Sequence, residues 1–248
     1  MAEREEPFAV GEFYHLYNRG NSKQRIFLND YDRERFAKLL FLCNSTTSIR
    51  FREDIVERKI EAWDFRRGET IVSIGAWVLM PNHFHLYLTP APRSHLGEEG
   101  ISLFMRKLCT GYSMYFNKKY SRTGKLFEGA FKSVRMTQDP QAKYIFSYIH
   151  LNPVKLIDSS WREKGVKNRK RALEFLNRYK WSSYQDFIGK KRPEKKILSI
   201  KDFPAYFKNR KVFRSEIFDW LDFNTPRSHL GNDLEEVSQG VTLGRKGR

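Results

Sequence analysis

Polar and apolar residues along the chain fall into two periods, and their order predicts the elements. Phe13–Tyr17 alternates as a strand does, and Asn18–Ser22 follows as a turn. Asp30 opens a helix whose Phe36, Leu39, Leu40 and Cys43 recur at core spacing. Residues 51–68 form a short amphipathic segment that a solvated helix explains. Ile71–Met80 and Asn82–Thr89 are rich in β-branched, aromatic and aliphatic side chains, with Pro81 as a break and Pro90 as an end, and they predict two consecutive strands. After a polar loop over 91–100, Ile101–Tyr120 carries the strongest helical pattern, its Leu103, Phe104, Leu108, Tyr112, Tyr115 and Phe116 forming one stripe. Leu126–Met136 reads as a strand, and Asp139-Pro140 starts a further helix. Strand, helix, two strands, helix, strand, helix implies an α+β fold, an antiparallel sheet with helices on one side.

Composition bounds this picture. The chain has 248 residues, 40% of them hydrophobic, including 20 Phe, 12 Tyr and 5 Trp, which is ample for one core and excludes disorder throughout. One domain over 11–189 is expected, with a tail over 1–10, a basic aromatic appendage over 190–223 and a disordered tail over 224–248. Lys and Arg number 46 against 29 Asp and Glu, a formal charge of +17, which argues for a polyanionic partner, most commonly nucleic acid. The two cysteines, Cys43 and Cys109, sit in apolar helical patterns and read as reduced core residues. With no signal-like start and no run of 18 apolar residues, a cytoplasmic, nucleoid-associated protein is expected.

Two stretches carry candidate chemistry. In His83-Phe84-His85 the period of a strand puts both imidazoles on one face, about 6–7 Å apart, where they can share a metal ion. A His-x-His pair by itself is more often structural than metal-binding. In the helix after Asp139, Tyr148 and Asn152 are four apart and share a face, a phenol beside an amide carbonyl.

Met80-Pro-Asn-His-Phe-His85 and Tyr148-Ile-His-Leu-Asn-Pro-Val-Lys155 resemble the two signature motifs of the single-tyrosine HUH transposases, in particular the REP-associated tyrosine transposases. The likeness extends through His15-Leu-Tyr-Asn-Arg-Gly20, Tyr115-Phe-Asn117, Gly124-Lys-Leu-Phe-Glu-Gly129 and Trp181-Ser-Ser-Tyr184, and so covers roughly residues 11–189 in order. It implies a ferredoxin-like, RRM-like palm and a metal-dependent endonuclease and strand transferase acting on single-stranded DNA with hairpin or palindromic elements. Tyr148 is then the nucleophile of a 5′-phosphotyrosine intermediate. His83, His85 and Asn152 are the ligands of Mg²⁺ or Mn²⁺, which a neutral N/O set suits. A monomer or a homodimer is compatible with the resemblance. Ala130 stands where the family often has arginine, which removes one expected phosphate contact.

Arg19, Arg106, Lys107, Lys118, Lys119, Lys132, Arg135 and Lys155 are the candidate DNA-binding residues, with solvated surface charge as the ordinary alternative. Tyr144, one turn before Tyr148, is a competing nucleophile or a stacking platform. No residue stands out as the base that takes the phenol proton; His150 is expected to face elsewhere. Two other functions fit parts of the pattern: an RRM-like nucleic-acid-binding module without catalysis, and a metallonuclease that uses water. Pro92-Arg-Ser-His-Leu-Gly97 recurs as Pro226-Arg-Ser-His-Leu-Gly231 with no further period, and His95 and His229 receive no role.

Overall fold

The computed structural model describes residues 7–206 and 209–221. The residues expected as a disordered tail, with His229 and the second copy of the repeated hexapeptide, lie outside them. Four strands, β1 (Phe13–Arg19), β2 (Val72–Met80), β3 (His83–Pro90) and β4 (Lys132–Met136), form one antiparallel sheet in the order β2-β3-β1-β4. Helix α1 (Asp30–Leu42) connects β1 to β2, and α2 (Glu99–Lys119) connects β3 to β4. This is the βαββαβ connectivity of a ferredoxin-like palm. Pro81 and Asn82 close the β2–β3 hairpin, pairing Met80 with His83.

The sheet buries both faces, each against its own apolar cluster. On one face Leu16, Trp77, Phe84 and Leu86 meet Phe36 and Leu40 of α1 and Phe104, Leu108 and Tyr112 of α2. On the other, Ala76, Val78 and Tyr87 meet Ile145, Phe146 and Ile149 of α3 (Asp139–Leu151). Short helices α4 (Trp161–Lys164), α5 (Arg169–Arg178) and α6 (Tyr184–Phe187) and then α7 (Arg210–Trp220) add Trp161, Leu176, Tyr184, Phe213 and Ile217 to that second cluster. The two palm helices do lie on one side, as expected, but the sheet as a whole is covered on both. The reason is that β2 carries apolar side chains on both faces, Val72–Met80 being buried throughout, so neither of its faces can be left to water.

The described residues of 190–223, expected as an appendage, are part of this packing. Ser199 N–H donates to Ile74 O, and the Phe203 ring lies 5.3 Å from that of Tyr87. Gly75, at the bulge between Ile74 and Ala76, makes room for Phe203: a Cβ there would stand 2.8 Å from its ring. The segment expected as one solvated helix over 51–68 forms short helical turns instead and buries Ile55, Ala62 and Trp63. β4 begins at Lys132 rather than Leu126, because Leu126 and Phe127 turn inward to the first cluster.

Candidate active site

Residues directly paired in an antiparallel sheet share a face. Tyr17 stands opposite His85 and Arg19 opposite His83, so β1 and β3 present Tyr17, Arg19, His83 and His85 on the face that α3 crosses. The His83 and His85 rings are 5.0 Å apart and nearly perpendicular. α3 delivers Tyr148 edge-on to His85, with ring centroids 5.5 Å apart. Its last residues keep helical dihedrals into Asn152 (φ −49°, ψ −40°) despite Pro153, and the chain continues as a tighter turn over Asn152–Leu156. Tyr148 and Asn152 therefore stay one turn apart on one face, and both line the cleft that His83 and His85 also line. That cleft has a volume of about 740 Å³.

Three polar features mark it. Asn152 is 1% exposed, and neither its Oδ1 nor its Nδ2 has a hydrogen-bond partner among the described residues. His85 is 2% exposed; its Nδ1 lies 2.9 Å from Nε2 of His15, and its own Nε2 is unpartnered. His83 Nδ1 lies 2.7 Å from Oδ1 of Asn82. Unsatisfied buried polar atoms are uncommon and call for an explanation. Two of them, one nitrogen and one oxygen, converging with a second histidine suit a divalent ion. Among the described residues no group of three His, Cys, Asp or Glu side chains is placed to hold a metal, so a metal held here would need an amide as its third protein donor.

Electrostatics keep the imidazoles in the ligating form. Burial, reinforced by Arg162, Lys155 and Arg19, lowers His83 to about 3. Burial likewise holds His15 at about 3 and His85 well below its ordinary value. All three are neutral at pH 7 and need shed no proton to bind a cation.

Of the residues expected to contact DNA, Arg19, Lys132 and Lys155 line the cleft. Arg19 is also bridged to Glu128. Arg106, Lys107, Lys118 and Lys119 are not brought there: they lie on α2, behind the sheet. Lys107 donates to the carbonyls of Ser45 and Thr47, and Lys119 pairs at 2.6 Å with the buried carboxylate of Asp32. Arg135 is opposite Tyr14 on the α1–α2 face and pairs with Glu12 at 2.8 Å. Tyr144 packs edge-on to Trp220 at 5.4 Å and does not line the cleft. His150 faces the second core, its Nε2 2.8 Å from Ser183 Oγ. His95 pairs with Glu69 at the surface.

Sequence reasoning missed Arg162, whose guanidinium lies 4.4 Å from the centroid of the Tyr148 ring. It sits on α4, in a basic stretch with no periodic signal, and only the fold of the second layer brings it over. Lys23, also in the cleft, belongs to the turn after β1 and was hidden among polar residues. His15 and Tyr17 had a signal, the alternation of β1, but which strand they face is a matter of sheet order.

No family model and no curated protein matches the chain. Among solved structures it is similar to a REP-associated tyrosine transposase bound to a REP hairpin, with 15% identity over 84% of this chain and 92% of the other and a TM-score of 0.44. It is also similar to a candidate transposase from Deinococcus radiodurans, with 15% identity over 59% of this chain and 95% of the other and a TM-score of 0.32. At that distance the chemistry must be argued from the cleft itself.

Proposed function

We propose that this protein is a metal-dependent single-strand DNA endonuclease and strand transferase, a transposase that cleaves hairpin-bearing DNA through a 5′-phosphotyrosine intermediate. The observation that carries the reading is the placement of Tyr148 and Asn152, one helical turn apart, against His83 and His85 at the floor of a cleft rimmed by Arg19, Lys132, Lys155 and Arg162. His83, His85 and Asn152 would hold Mg²⁺ or Mn²⁺. Such an ion supplies polarisation of the scissile phosphodiester and offsets charge that builds up on it.

The protein's own groups do the rest. The rim cations draw in the phosphate backbone of a single strand. Tyr148 Oη attacks phosphorus; the Tyr148 O–P bond forms, the bond from phosphorus to the 3′ oxygen breaks, and that oxygen leaves as a 3′-hydroxyl after taking a proton. The new phosphotyrosine retains the energy of the bond it replaced, so a second 3′-hydroxyl reverses the step on another strand without ATP. Arg162, over the face of Tyr148, places a permanent cation against the ring of the nucleophile.

The binding-module reading finds little support, because α3 packs across the sheet face on which RRM-like aromatics would stack bases. Labelled single-stranded hairpins incubated with the protein in Mn²⁺ or EDTA, and resolved on a denaturing gel, test the proposal. A metal-dependent covalent adduct lost in Tyr148→Phe and kept in Tyr144→Phe is the expected result. Cleavage without an adduct would favour the water-using nuclease, and tight binding without cleavage the module.

A further inference from the structure

Of the buried pair of histidines between β1 and β3, His85 has a part in the chemistry above and His15 has none. His15 is opposite Tyr87 and His85 opposite Tyr17, so the two are diagonal neighbours on one face of the sheet. Their rings are stacked, with centroids 5.0 Å apart and planes 20° apart, and His15 Nε2 is 2.9 Å from His85 Nδ1. Both side chains are almost wholly buried. This bond is the one hydrogen bond that either imidazole makes among the described residues, since His15 Nδ1 and His85 Nε2 have no partner. A buried polar ring with a single hydrogen bond is a poor choice for packing alone, because an apolar side chain would leave nothing unsatisfied.

We infer that His15 is a positioning residue for the metal site: it accepts the Nδ1–H of His85 at its own Nε2, and so fixes the rotation and the tautomer of His85 in which Nε2 is free to bind a cation. The inference rests on the reading of His83, His85 and Asn152 as ligands. The pair has only two neutral proton arrangements. In one, His15 Nε2–H donates to His85 Nδ1, and the proton of His85 blocks its Nε2. In the other, His85 Nδ1–H donates to His15 Nε2, and His15 carries its proton on Nδ1. Only the second leaves a lone pair at His85 Nε2, and it differs from the first by one proton on each ring, shifted from Nε2 to Nδ1, with no net gain or loss. A histidine ligand that donates its other N–H to a neighbouring acceptor is the usual outer arrangement of a metal site. Here the acceptor is a second imidazole rather than a carboxylate, which leaves the site neutral.

The test uses the full-length protein without DNA, titrated with Mn²⁺ and followed by electron paramagnetic resonance. His15→Phe keeps the volume and removes the acceptor, and should weaken Mn²⁺ binding about 10–100-fold. His15→Gln, whose amide oxygen can accept from Nδ1–H, should recover most of that loss. In the unmutated protein with diamagnetic Mg²⁺, long-range ¹H–¹⁵N spectra of the six histidines should show His85 protonated at Nδ1 and bare at Nε2. Wild-type affinity in His15→Phe, a Gln variant no better than Phe, or a His85 protonated at Nε2 with Mg²⁺ bound would each overturn the inference. Mn²⁺ binding that survives His83→Ala and His85→Ala would instead overturn the metal site itself, and the inference with it. The tautomer measurement needs no variant to fold.

Discussion

The two faces of the sheet are built from the same strands and put to opposite uses. Behind it, against α1 and α2, the fully buried carboxylate of Asp32 is held by a network of donors. Asp32 accepts from the backbone of Leu28 and Asn29, from Tyr115 and Tyr120 and from Lys119, and closes a capping box with Asn29 at the start of α1. In front, against α3, the atoms of His85, His15 and Asn152 are buried without partners. A satisfied buried network adds stability, whereas an unsatisfied one subtracts from it and persists only where something else requires it. The same contrast runs through the basic residues. Lys107 and Lys119 are held by backbone carbonyls and a carboxylate, whereas Lys132 and Lys155 line an open cleft. Net charge alone could not separate the two groups.

Several experiments can break or sharpen that contrast. The largest effect is expected at the front. Tyr148→Phe should reduce formation of the DNA adduct by at least about 10³-fold, with melting temperature and metal-free hairpin binding close to wild type; an active Phe variant would remove the nucleophile from the argument. Behind the sheet, Phe84→Ala should cost about 3–5 kcal/mol in urea denaturation, while whatever protein remains folded keeps its activity per molecule.

Acid should act on the buried histidines. Burial holds His150 at about 3 in the folded protein, while an unfolded histidine titrates near 6.5. Between those values the unfolded state binds more protons than the native state, so stability falls as pH falls, by about 2 kcal/mol from pH 6.5 to pH 5 for this group. Above pH 6.5 the group has no effect. Denaturant midpoints at the two pH values check the sign, and His150→Gln should reduce the dependence by about this amount, leaving the shares of His15, His83 and His85.

A paired comparison of cations comes next. Lys119→Met should lose about 1–2 kcal/mol, discounted for the partial exposure of the lysine, because Asp32 keeps its other donors. DNA affinity should not change. Lys155→Met should leave stability alone and reduce the salt dependence of DNA binding by about one unit in the log–log slope. Equal effects of the two substitutions on DNA binding would erase the distinction drawn between the faces. The smallest effect is also the most telling: Asn152→Leu should raise stability by about 1 kcal/mol in metal-free buffer, by removing an unsatisfied buried amide, while abolishing Mn²⁺ binding.

Much of the palm was legible in the chain. Each of its strands and both crossover helices have a period that neighbouring residues dictate, and the hairpin is announced by Pro81-Asn82. The second layer was harder to read. The region from Trp161 onward is dominated by charge and short helices, so its buried members, Trp161, Leu176, Phe213 and Ile217, are too sparse to form a pattern. That is why the sheet was expected to be covered on one side. In the site, His83 with His85 and Tyr148 with Asn152 were legible because each pair lies within one element, where strand and helix periods put them on a common face.

The sequence by itself determined those local facts: which residues share a face of a strand or helix, where turns interrupt them, and that the chain as a whole is strongly basic. Only the tertiary structure decided which faces meet. It set His15 against His85, carried Arg162 from α4 over Tyr148, and sent the lysines of α2 to the rear of the sheet. The physical reason is range. Periodicity acts through bonds along a few residues, whereas the meeting of β1 with β3, or of α4 with α3, depends on burying apolar surface between segments far apart in the chain, and no local pattern encodes the partner.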